Sequence, residues 1–250
     1  MNAPSDLGDA PALDLGRDAL FLDFDGTLAA LQQRPQLVVL GVTMRRALLH
    51  VRKAIGGRLA IISGRDITTL QQLLSIDGIG LAGVHGLERI RAGGDDSGCR
   101  PVITANMQQA RRDLNALVAS RPRLLIEDKG IGIALHYRDA PELEDVARET
   151  IQAVAERHEL KVQAGKMVYE ICEPGPDKGD AVRAFMAEPP FAGARPIFIG
   201  DDDTDEVAFA AADALGGFGI LVGNRPTAAR YRLADVAAVE AWLWAAGAAT

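Results

Sequence analysis

The chain has 250 residues, 48% hydrophobic and 24% charged, with 27 Lys and Arg against 34 Asp and Glu for a net charge of −7. That is enough apolar material for one large domain or for a domain with a smaller companion. The acidic balance and an aromatic share of 5% argue against nucleic acid and against an anionic membrane as partners, and no apolar run approaches the roughly 20 residues of a membrane helix.

Residues 1–16 read as a loose polar leader, without the basic start and apolar run of a secretory signal. The first strand follows as ALFL, Ala19 to Leu22, and runs straight into Asp23 and Asp25 with Phe24 between them, before a turn on Gly26 and Thr27. Thr43 to Ile55 is predicted helical, with Met44, Ala47, Leu48 and Val51 on one face. Two more apolar runs end in polar turns: LAII at Ser63-Gly64-Arg65, and IGLAGV at His85-Gly86. Short apolar runs without alternation, separated by helical patterns, predict strands buried on both faces in a doubly wound parallel α/β sheet.

After the Gly/Asp-rich segment RAGGDDSGCRP the pattern changes. A helix over 104–120 precedes RLLIED and GIGIALHY, two strand-like runs that part at Lys129-Gly130. Pro141 opens a second helix with Leu143, Ala147, Ile151 and Val154 on its buried side, followed by the strands LKVQA and KMVYEIC. This repeated helix-strand-strand order predicts an inserted α+β domain over 99–173, with an antiparallel sheet covered on one face. The first domain is then discontinuous, 17–98 and 174–250, resuming after the Pro/Gly-rich EPGPDKG. Lys178 starts a helix there, PIFI runs into Gly200-Asp201 and the acidic run GDDDTDE, and FGILV runs into Gly223-Asn224. The C-terminal VEAWLWAAGAA, with Trp242 and Trp244, reads as packing on the core. Cys99 and Cys172 belong to no CxxC pair or Cys/His cluster, so neither a disulfide framework nor structural zinc is expected and a reducing, cytoplasmic setting fits.

Ligands of a parallel α/β sheet collect beyond the carboxyl ends of its strands, and Asp23, Asp25, Ser63 and Asp201 all sit there. On an extended chain, residues two apart point the same way, which would let Asp23 and Asp25 reach one point. Carboxylates crowded together need a cation or a proton, and the all-oxygen donor set suits Mg²⁺. Lys178 can lean in, Ser63 offers a hydroxyl, and the amides after Ser63 and Gly26 can hold phosphate oxygens. Thr27, Arg65 and His85 are further candidate substrate contacts at the same strand ends. This is a phosphoryl-transfer set: Asp23 as nucleophile, Asp25 as acid and base, Ser63 and Lys178 completing it. Plainer readings exist for each piece. Asp-Gly is an ordinary turn pair, Ser63 an ordinary helix cap, Lys178 taken alone a surface lysine, and His85 and His136 structural histidines. The alternating aspartates 201, 203 and 205 imitate a calcium loop, but Glu206 and Ala212 stand where that loop needs Gly and Glu.

DFDGTL, IISGR, the lysine of DKGDAV and GDDDTDE together resemble, in order, the four motifs of the haloacid dehalogenase superfamily of phosphohydrolases. The resemblance implies Mg²⁺ held by the Asp23 carboxylate, the Asp25 carbonyl and Asp201, with Asp205 supporting from behind. GVHGLE, IEDKGIGIALHYR and YEICEPGPDKGDAV look like the trehalose-6-phosphate phosphatase family, which carries an α/β cap at this place in the chain. That family implies Glu127, Lys129 and Glu170 as sugar contacts and a mobile cap. It often has Arg where this chain has Cys172 and Glu173. The expectation is a monomeric, Mg²⁺-dependent phosphatase acting on trehalose 6-phosphate through an aspartyl-phosphate. The rivals are an enzyme for another sugar phosphate, such as sucrose phosphate or a mannose phosphate, and a non-catalytic sugar-phosphate-binding module.

Overall fold

Ala19 to Leu22 are all fully buried, yet alternate residues enter different cores: Leu20 and Leu22 join one hydrophobic cluster, Ala19 and Phe21 another. A strand that buries both faces shows no polar alternation, which is why these runs read as continuous. The computed structural model describes residues 7–32, 34–93, 103–130, 132–165 and 167–247. The chain divides into two compact units, Met1–Cys99 with Pro176–Thr250, and Arg100–Gly175.

In chain order the first unit begins with β1 (Gly8–Asp9), β2 (Asp18–Leu22), α1 (Val42–Ala54), β3 (Leu59–Ile62), α2 (Ile67–Leu74), β4 (Gly80–Gly83) and β5 (Glu88–Ile90). The second unit holds α3 (Ala105–Val118), β6 (Leu125–Asp128), β7 (Gly132–His136), α4 (Glu144–Arg157), β8 (Lys161–Gly165) and β9 (Val168–Cys172). The first unit resumes with α5 (Lys178–Met186), β10 (Arg195–Gly200), α6 (Glu206–Ala214), β11 (Phe218–Val222), β12 (Tyr231–Leu233) and α7 (Val236–Gly247).

The first unit's sheet has the order β1-β12-β11-β10-β2-β3-β4-β5, parallel except for the β4–β5 pair. Helices α1, α2 and α7 cover one face through Met44, Leu48, Val51, Leu70 and Leu243; α5 and α6 cover the other through Val182, Phe185 and Phe209. The chain steps outward from β2 to β3 and β4, then returns on the other side of β2 at β10, so the carboxyl end of β2 is the switch point where such sheets open a crevice. The buried face of α1 consists of the expected Met44, Ala47, Leu48 and Val51.

The second unit is a four-stranded antiparallel sheet, β6-β7-β9-β8, with α3 and α4 on one face over Ile133, Leu135 and Ile171. This unit closes at Gly175, and within it the Thr104 hydroxyl, ahead of α3, donates to Glu173. Most of the expected entry boundary, including Cys99, lies outside the described residues.

The expectation for the N-terminal segment is corrected. Residues 7–16 are not a loose leader: Gly8 and Asp9 pair in parallel with Tyr231 and Arg232, Leu13 is buried, and the Trp242 indole donates to the Pro11 carbonyl at 2.9 Å. A two-residue strand carries no periodicity, so only its partners reveal it. Residues 1–6 lie outside the described residues. Trp242 packs against the core as expected, whereas Trp244 is partly exposed, its ring tilted against that of His50 with centroids 5.7 Å apart. Among the described residues, no helix is long and apolar enough to cross a membrane.

Candidate active site

Asp23 sits one residue beyond the tip of β2, where its amide still donates to the Ile199 carbonyl of β10 at 2.9 Å. The central strand thus holds it rigidly, and its side chain is almost fully buried. Lys178 reaches it from the first turn of α5. That helix starts where Asp177 and Asp180 cap each other's backbone amides in a capping box. The Lys178 ammonium donates to Asp23 Oδ1 at 2.9 Å and to Asp205 Oδ1 at 2.6 Å, with 2% of the lysine exposed.

Two glycines make room for the acids. Gly26 has φ +83°, and a Cβ there would lie 2.1 Å from Asp201 Oδ2; a Cβ on Gly200 would lie 2.3 Å from Asp205 Oδ2. Asp205 is further held by the Asp202 amide at 2.9 Å. The outcome is a cluster in which Asp23, Asp201 and Asp205 each present a carboxylate oxygen within 4.8 Å of the others. Asp205, expected behind the site, stands in the cluster itself.

The electrostatics fit a divalent cation. Three carboxylates and one ammonium leave two negative charges in a largely buried place, and the donors are all oxygen, as Mg²⁺ or Mn²⁺ prefers. Burial pushes the Asp23 carboxyl well above the usual carboxylate range; the Lys178 ammonium pulls it back, while Asp205 and Asp201 push it further up. Burial alone would lower Lys178, but Asp205 and Asp23 outweigh it and hold the ammonium above its ordinary value.

Asp25 departs from expectation. Its carboxylate is not part of the cluster of Asp23, Asp201 and Asp205 but forms a bidentate pair with Arg65, Nε to Oδ2 at 2.6 Å and Nη2 to Oδ1 at 2.8 Å. The reason is local: β2 ends at Leu22, and Asp25 already belongs to the turn on Gly26, so the two-residue strand period no longer aligns it with Asp23. Arg65 is thereby engaged with an acid and with the Pro35 carbonyl at 3.2 Å.

Ser63 is buried, and its Oγ accepts from the Arg65 amide at 3.2 Å. It is not the cap of α2; Asp66 is, accepting from the Thr69 amide. His85 takes a positive φ of 58°, and its ring lies so close to Gly64 that a Cβ there would meet it at 2.8 Å. Thr27 is fully buried, and its hydroxyl has no hydrogen-bond partner among the described residues.

In the second unit, register puts Glu127 opposite Ala134, Ala134 opposite Glu170 and Glu170 opposite Gln163. Cross-strand partners share a face, and this is the face that α3 and α4 leave uncovered. Lys129 Nζ donates to Glu170 Oε2 at 2.6 Å, and His136 Nε2 lies 2.8 Å from Glu127 Oε2. The three expected sugar contacts are therefore gathered on one polar face. What the sequence reading missed is Arg225, whose guanidinium donates to the carbonyls of Asp201 and Asp202. It lies in an irregular loop, and a lone arginine there gives no periodic or motif signal.

Comparison with known proteins assigns the chain to a family. The trehalose-phosphatase family model matches residues 21–237. A Sinorhizobium fredii protein named "Probable trehalose-phosphate phosphatase" is 39% identical over 234 residues, 93% of this chain and 87% of the relative. Trehalose-6-phosphate phosphatase of Escherichia coli is 39% identical over 229 residues, 90% of this chain and 85% of the relative. The structure of the C. albicans trehalose-6-phosphate phosphatase C-terminal domain superposes with a TM-score of 0.81 over 96% of this chain and 99% of that one; at 22% identity it speaks to the fold. With a family match across residues 21–237 and curated relatives at this identity, the chain belongs to the trehalose-phosphatase family.

Proposed function

We propose that this chain is a phosphoric monoester hydrolase that cleaves trehalose 6-phosphate to trehalose and phosphate. The observation that carries the reading is the buried Lys178 ammonium bridging Asp23 and Asp205, with Asp201 completing an oxygen cluster at the tip of the central strand. In this reading Asp23 Oδ attacks phosphorus as the sugar P–O bond breaks, and an aspartyl-phosphate forms on Asp23. Asp25 delivers a proton to the departing sugar oxygen and later accepts one from the water that hydrolyses the acyl-phosphate. Its bidentate pair with Arg65 has to open for that, and the freed guanidinium then suits a phosphate oxygen.

Asp23, Asp201 and Asp205, with the Asp25 carbonyl nearby in sequence, would hold Mg²⁺, which when bound offsets charge on the phosphoryl oxygens. Lys178 adds its positive charge on the Asp23 side. Thr27, with a buried hydroxyl in need of a partner, and the Gly26 and Ser63 loops would bind phosphate. Glu127, Lys129 and Glu170 would bind the sugar; carboxylates accept from hydroxyls and the lysine donates. A monomeric, cytoplasmic enzyme is the accompanying expectation.

The test is phosphate release from trehalose 6-phosphate, sucrose 6-phosphate, mannose 6-phosphate and glucose 6-phosphate, each with Mg²⁺ and with EDTA. Trehalose 6-phosphate should be preferred and EDTA should abolish turnover. A faster rate on glucose 6-phosphate would overturn the substrate, and full activity in EDTA the metal.

A further inference from the structure

We propose that Arg225 is a positioning residue for the Asp201 carboxylate and thereby for the divalent cation. The inference rests on the reading above, in which Asp201 is a metal ligand. Arg225 lies in the loop after β11, on a different segment from the acidic run it touches. Its Nε donates to the Asp201 carbonyl at 2.9 Å and its Nη2 to the Asp202 carbonyl at 2.5 Å. Its Nη1 donates to Glu206 Oε1 at 2.5 Å and stands 3.3 Å from Asp203 Oδ1. Glu206 is itself held by the fully buried Thr227, whose hydroxyl donates to the same oxygen at 2.7 Å.

The consequence follows from peptide geometry. Two consecutive carbonyls held by one planar guanidinium fix the orientation of the peptide units on both sides of Asp202. The first of these carries the Cα of Asp201, so the direction of the Asp201 side chain is set from the backbone. That matters because the carboxylate sits in the space that the absence of a Cβ on Gly26 leaves open. Arg225 also places one positive charge within a loop whose residues 201, 202, 203, 205 and 206 are all acidic, which eases the repulsion of bringing them together. Position, more than charge, distinguishes arginine from lysine here: an ammonium is a point donor and cannot span both carbonyls in the plane of a fork.

The experiment measures Mn²⁺ binding to the intact protein by electron paramagnetic resonance, without substrate. The proteins are wild type, Arg225→Ala and Arg225→Lys, with thermal unfolding in EDTA recorded alongside. Removing a partner that orients a metal ligand typically weakens the metal about 10–100-fold, so Arg225→Ala should raise the Mn²⁺ dissociation constant at least tenfold. Arg225→Lys should remain several-fold impaired despite keeping the charge. Both should show a raised metal requirement for phosphate release with little change in KM for the sugar phosphate. Mn²⁺ affinity within twofold of wild type in Arg225→Ala overturns the proposal, as does full recovery in Arg225→Lys, which would leave a charge effect alone. If Arg225→Ala does not fold, the lysine variant carries the same decision. No Mn²⁺ binding by the wild type would instead defeat the metal reading beneath it.

Discussion

Replacing Lys178 by Met keeps most of the side-chain volume and removes one ammonium from a fully enclosed site. The lysine is 2% exposed, and both its partners, Asp23 and Asp205, have side chains at most 5% exposed. Neither carboxylate can recover its lost partner from water, and Asp201 adds a third negative charge nearby. Removing one member of a buried ion pair costs about 3–5 kcal/mol, since the remaining charge is left uncompensated. With two acids stranded we expect the upper part of that range, measured by urea unfolding near neutral pH in EDTA.

The pH dependence supplies the sharper check. Burial already raises Asp23 above its ordinary range, and Lys178 is the main influence lowering it. Without the lysine it rises further. A carboxyl raised on folding contributes stability below its unfolded value, near 3.8, and loses that contribution as pH rises through the folded value. The loss therefore grows toward neutral pH, and the destabilisation of Lys178→Met should shrink as pH falls from about 7 toward about 5. Asp205→Asn in the same protein should restore part of the stability by removing one stranded charge. Unfolding within about 1 kcal/mol of wild type, less than the low end expected for a broken buried pair, would refute this account of the site; so would a penalty independent of pH.

Asp23→Asn should abolish phosphate release while leaving the unfolding temperature in EDTA unchanged or higher, because it removes a buried charge; turnover surviving in that variant rules out Asp23 as nucleophile. Gly26→Ala places a Cβ at φ +83° and 2.1 Å from Asp201 Oδ2. About 1–3 kcal/mol of strain and weaker Mn²⁺ binding should both appear in calorimetry, whereas an unperturbed variant would show that Asp201 does not need that space. Burial, with Glu170 adding to it, pushes the Cys172 thiol up to about 12. In a Cys99→Ser background, iodoacetamide at about pH 8 should therefore modify Cys172 quickly only in denaturant, since the thiolate is the reactive form; rapid modification of the folded protein would contradict that burial. The sign of the linkage is the same as for Asp23: this group's contribution is complete below an unfolded value of about 8.5 and fades as pH rises toward the folded one.

The central strands β2, β3, β4, β10 and β11 were legible because they bury both faces, and a residue pair such as Leu20 and Phe21 needs no further context to read as core on either side. Helix α1 was legible because its one buried face repeats at helical spacing. The edge pairing of β1 with β12 was not, since two residues make no pattern and the partner lies more than 200 residues away in the chain. Asp23, Lys178 and Asp201 could be named in advance because each follows directly from a strand tip or helix start, the places where this sheet must expose its polar groups.

What the sequence by itself determined is the set of chemical groups and the elements that carry them: carboxylates at the ends of apolar strands, a lysine at a capped helix start, and glycines beside them. What only the tertiary structure decided is who meets whom. Asp25 turns to Arg65 while Asp205 joins Asp23 and Asp201, and Arg225 grips the acidic loop from a neighbouring one. The reason is physical. Element formation depends on residues a few positions apart, which the sequence displays. The pairing of charges depends on distances of a few ångströms across separate segments, set by backbone turns such as that at Gly26 and by packing that no local pattern encodes.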